Sequence, residues 1–129
     1  MRTLHRRILP IVVLLAGCST APISVSGPVA PGFDAFACAS THLNRLGYTI
    51  EDGDRDVGFV RGVRQTSFLG TNYYHTLTAA VFDGEGGEET LRVTAARRES
   101  DALAGSDRPL APNDETQAHA LEILSLCGR

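Results

Sequence analysis

Asp52, Asp54 and Asp56 occupy alternate positions of the stretch DGDRDVG, and alternate carboxylates in a tight turn can converge on one hard cation. Their spacing copies the first three ligand positions of a calcium loop. The copy then breaks: Val57 stands where such a loop needs glycine, and Val63 where it needs a bidentate glutamate. The stretch therefore reads as a polar turn in which Asp and Gly satisfy local backbone groups, and no metal site is expected. His42, His75 and His119 are not spaced to share a metal, and no paired Cys–His pattern accompanies them. No G-x-S-x-G elbow is present. Glu88 and Glu89 flank a turn, where charge is solvated, and the acids of DGEGGE would repel a phosphate. Neither a catalytic residue nor a cofactor is expected.

Cys18 is the residue with the clearest chemistry. It closes ILPIVVLLAGC, an apolar run too short for the roughly 20 residues of a membrane-spanning helix, and Arg2, Arg6 and Arg7 precede that run. A basic start, a short apolar centre and small residues at its end describe a secretory leader. The ending Leu15-Ala16-Gly17-Cys18 resembles the lipobox of bacterial lipoproteins. That resemblance implies cleavage before Cys18, diacylglycerol on its sulfur and commonly a third chain on its amine. Two or more acyl chains anchor stably where one binds only marginally, so Cys18 would be the membrane attachment. Ser19, where an Asp tends to retain such proteins at the inner membrane of enteric bacteria, implies the outer membrane with the domain facing the periplasm.

Removing residues 1–17 takes three of the twelve basic residues and moves the formal charge from −3 to −6. All twelve are arginines. An acidic domain has no electrostatic footprint for nucleic acid, which is excluded as a partner. With Cys18 acylated, Cys38 and Cys127 remain, and an even pair in an exported chain reads as a disulfide. Its long loop would contribute about 4–5 kcal/mol in the chain-entropy description.

Around these residues the periodicity defines a scaffold. Residues 18–32, the lipidated cysteine followed by a Ser-, Pro- and Ala-rich run, read as a tether spanning up to about 40 Å in an extended conformation. Residues 33–129 are expected to form a single domain. Phe36, Ala39, Leu43 and Leu46 recur at helical spacing, with Asp34 as N-cap and Gly47 as terminator. Alternation then predicts strands: Tyr48 and Ile50; Val57, Phe59 and Val63 on one face; Leu77, Ala79 and Val81; and Leu91, Val93 and Ala95. A polar loop over residues 99–113 leads to a last helix capped by Asp114 and Gln117, with Ala120, Leu121, Leu124 and Cys127 on its buried face. The expected fold is α+β: an antiparallel meander of three to four strands, one face covered by the N- and C-terminal helices in a two-layer sandwich.

The stretch TSFLGTNYYHT is expected to connect two strands, and it crowds Phe68, Leu69, Tyr73 and Tyr74 without an acid nearby. Clustered aromatic and apolar side chains of this kind suit a protein-binding or saccharide-binding edge, the alternative being a long hairpin whose aromatics fold back on the sheet or cover its open face. The first helix, LGY, the acidic turn and a glycine-interrupted strand are loosely similar to helix-grip modules of envelope lipoproteins. Together these readings imply a lipid-anchored, non-enzymatic binding or accessory module docking another envelope protein. The alternative is a binder of small amphipathic ligands in a cavity between sheet and helices, lined by Ile50, Leu77, Val93 and Leu124.

Overall fold

The computed structural model describes residues 20–128. Cys18 and the leader lie outside them. Eight elements follow in order: β1 (Ile23–Pro28), α1 (Ala35–Arg45), β2 (Thr49–Asp54), β3 (Phe59–Phe68), β4 (Thr71–Asp83), β5 (Glu89–Asp101), β6 (Ser106–Leu110) and α2 (Asp114–Cys127). The six strands make one antiparallel sheet in the order β1-β5-β4-β3-β2, with β6 also pairing β5. Both helices cover the same face. The fold is the expected α+β meander flanked by terminal helices, with two strands more than the sequence suggested.

Both extra strands lie on the outer edge of β5. β1 pairs residues 90–95 and β6 pairs residues 97–101, so the two share that edge end to end. Residues 23–28 are therefore part of the domain and not of the tether. The loop expected over 99–113 is instead the end of β5, a turn, and β6.

The core sits between sheet and helices. Leu43, Leu77, Leu91, Val93 and Ile123 are fully buried there, beside Ala39, Ala79 and Cys127. β4 and β5 bury the side chains that their alternation predicts. β3 is shifted by one residue: Val60 and Gly62 face the core, Phe59 and Val63 lie on the other face, and Val57 is 70% exposed in the β2–β3 turn. Gly62 explains the shift. A Cβ there would lie 2.9 Å from Cβ of Tyr48, so only glycine lets α1 and Tyr48 approach the sheet so closely.

Asp34 caps α1 by accepting from the Ala37 amide at 2.9 Å, and Gly47 (φ 87°) follows its end, both as expected. α2 differs. Its N-cap is Asn113, which accepts from the Thr116 amide at 2.9 Å, while Gln117 donates to the Pro112 carbonyl. Its buried face runs through Thr116, Ala120, Ile123 and Cys127, leaving Leu121 55% exposed. Cys38 and Cys127 form a disulfide (S–S 2.07 Å) that joins the two helices across 89 residues of chain. No helix among the described residues is long and apolar enough to cross a membrane.

Candidate functional site

The helices cover one face of the sheet, so alternate residues of every strand are left on an uncovered face. Cross-strand register assembles that face: Phe59, Arg61 and Val63 from β3, Tyr74, Thr76 and Thr78 from β4, and Thr94, Ala96 and Arg98 from β5. A groove of about 580 Å³ crosses it, lined by four arginines (Arg61, Arg97, Arg98 and Arg108), two acids (Glu51 and Asp107), and Val63, Tyr74, Thr76, Ala96 and Pro109. Arg98 lies 4.9 Å over the Tyr74 ring and pairs with Asp107 at 3.1 Å. Arg61 has no ion-pair partner among the described residues, and its buried Nε has no hydrogen-bond acceptor. The unpartnered Nε of Arg61, in a groove that Tyr74 and Thr76 also line, suits an anionic group: the planar fork of a guanidinium can hold a carboxylate or phosphate in two hydrogen bonds.

Of the four side chains expected to form one contact surface, the register separates three positions. Tyr74 lines the groove. Tyr73, opposite Thr66 and Glu99, is half-buried on the other side of the sheet. Phe68 and Leu69 stand at the tip of the β3–β4 hairpin, 68% and 88% exposed. The connection is only two residues long, with Leu69 at φ 49° and Gly70 at φ 81°, the positive pair of a type I′ turn. Asn or Gly is usual at the first position, and a bulky residue held there costs of the order of 1–2 kcal/mol. Asn72, expected in the turn, belongs to β4 and accepts from Ser67 Oγ at 2.6 Å.

A polar cluster that the sequence did not reveal lies under the first turn of α2. His75 is 3% exposed, with Thr66 Oγ1 2.9 Å from Nε2 and Thr116 Oγ1 3.3 Å from Nδ1. Burial, with Arg64 and Arg97 nearby, holds its pKa below the ordinary 6.5. Arg64 pairs with Glu115 at 2.8 Å, which holds that carboxyl below its ordinary range, and Tyr48 shares a hydrogen bond of 2.9 Å with His119 Nδ1. These bonds tie α2 to β3, to β4 and to Tyr48, and each of these side chains has a side-chain partner. The cluster positions a helix.

The remaining sequence candidates are placed as follows. Asp54 Oδ1 accepts from the amides of Asp56 and Val57, which is the local backbone work expected of this turn. His42 lies within 4.8 Å of both sulfurs of the disulfide, whose oxidation removes the thiolates a metal would need. Leu77 and Val93, two of the four residues named for an internal cavity, are completely buried in the packed core. No protein-family model matches the chain, and no curated protein does.

Proposed function

We propose that this chain is a lipid-anchored envelope lipoprotein, attached through Cys18 at the outer membrane, that binds an anionic partner on the uncovered face of its sheet and catalyses no reaction. The groove at Arg61, Tyr74 and Arg98 carries the reading. It places positive charge and an aromatic ring on one open surface of a domain whose overall charge is negative. A partner presenting acidic side chains to this surface would be drawn to it by charge and held by bidentate contacts. Two measurements test the reading. Labelled palmitate should enter the wild-type chain and not Cys18→Ala. Envelope proteins captured by the intact lipoprotein should be released by salt and lost from the Arg61→Gln/Arg98→Gln variant. Capture indifferent to both charges would refute the groove as the binding surface.

A further inference from the structure

The two ends of the sheet differ as sharply as its faces, and the difference orients the molecule on a surface. β4 alone runs about 40 Å at some 3.3 Å per residue, and it separates two sets of turns. At one end Thr71 pairs with Asp101, which brings the β3–β4 tip beside the β5–β6 turn. Phe68, Leu69 and Leu103 project there, 68%, 88% and 96% exposed, with Gly70, Ala102 and Ala104 between them. Asp101, the acid beside them, accepts from the Leu103 and Ala104 amides and so shapes the turn. At the other end Asp34, Asp54, Asp56, Asp83, Glu85, Glu88 and Glu89 collect around the remaining turns, with Arg55 paired to Asp34 at 2.8 Å.

The strand β1 decides which end faces the membrane. It is antiparallel to β5 and begins at Ile23, opposite Ala95, so β1 enters the sheet from the side of the apolar tip and runs away from it. From Cys18 to Ile23 the chain can reach at most about 17 Å, whatever its conformation, and the stretch of β5 from Ala95 to Asp101 is about 20 Å. A tether that short cannot hold the domain clear of the headgroups. It brings the tip to them, while the acidic end, which anionic lipid would repel, points away.

We propose that Phe68, Leu69 and Leu103 insert into the lipid surface as a second attachment, fixing the domain upright on the membrane that Cys18 anchors it to. The inference rests on the acylation of Cys18 for its geometry. Leu69 supports it independently: a strained, almost fully exposed leucine stabilises nothing in the fold, and asparagine would suit its conformation better. Apolar side chains on a loop tip bind a membrane by the area they bury among the acyl chains.

The chain contains no tryptophan, so single substitutions report on depth. The mature lipoprotein is placed in vesicles of phosphatidylethanolamine and phosphatidylglycerol containing phosphatidylcholine brominated near the headgroup end of its acyl chains. Phe68→Trp and Leu103→Trp should show blue-shifted emission and lose most of their intensity to bromine. Val57→Trp, at the acidic end, should remain water-exposed and unquenched. Adding Leu69→Asn to Phe68→Trp should raise the melting temperature and weaken the quenching. Water-like emission at positions 68 and 103 in acylated protein would overturn the proposal in favour of a protein-docking tip, and equal quenching at position 57 would overturn the orientation. The mass of the mature N-terminus is read separately. Quenching in a chain without diacylglycerol would keep the inserted tip and refute the anchor.

Discussion

Leu77 and Thr78 are neighbours on β4, yet the first is fully buried and the second lies on a face that no helix covers. Repeated along every strand, that alternation gives one sheet two chemistries. The covered face carries branched and small apolar side chains, a disulfide overhead and, at its margin, the His75 cluster. The open face carries threonines, arginines and aromatic rings. On the proposed reading, stability and recognition belong to alternate residues of the same strands, so each should be open to change with little effect on the other.

Breaking the disulfide should give the largest loss. A bridge closing 89 residues contributes up to about 4–5 kcal/mol, so the Cys38→Ser/Cys127→Ser protein should unfold at much lower urea than wild type. An unchanged midpoint would remove the bridge from the account. Next comes the neighbouring pair itself. Leu77→Ala should lose about 2–5 kcal/mol, whereas Thr78→Ala should stay within about 1 kcal/mol. Similar losses at both positions would mean that the open face is packed against something.

A smaller effect should follow acid. Burial, with Arg64 and Arg97 nearby, puts the folded pKa of His75 below its unfolded value of 6.5. The unfolded chain then binds more protons as the pH falls past 6.5, and stability that is complete above that value declines toward the folded pKa. Groups facing His75 are Thr66, Thr116, Arg64, Arg97 and Glu115. Glu115 titrates in a lower range, because Arg64 lowers its pKa from 4.5. Urea midpoints between pH 7 and pH 5 should therefore fall in the wild type and flatten in His75→Gln. An equal slope in both would assign the acid sensitivity elsewhere.

How much of this was legible in the sequence depended on whether burial fixed a pattern. α1 was bounded by Asp34 and Gly47, and the phases of β4 and β5 followed from strict alternation of core residues. The phase of β3 did not, because its core position 62 is a glycine whose reason for being there is the closeness of Tyr48. β1 and β6 carry Ser, Pro and charged residues and are ordered by backbone pairing to β5, which leaves little trace in composition. Pro109 is tolerated because β6 is an edge strand. In α2 the helical period admitted Leu121 as readily as Ile123, and only the direction of packing separated them. The groove was invisible for a different reason: Arg61, Tyr74 and Arg98 belong to three strands, and only register puts them on one face, with Tyr74 opposite Arg98 and Arg61 opposite Thr78. His75 gave no sign of its hydroxyl partners on β3 and α2.

The separation of stability from recognition is tested most directly by the Arg61→Gln/Arg98→Gln protein, measured for unfolding and for partner capture side by side. Arg61 gives up a buried Nε that has no acceptor, and Arg98 gives up a solvent-exposed ion pair and a stacking contact. Stability should therefore change by less than about 1 kcal/mol. Salt-sensitive capture of an acidic partner should disappear. A loss of several kcal/mol, or capture undiminished, would show that the open face belongs to the scaffold and that recognition lies elsewhere.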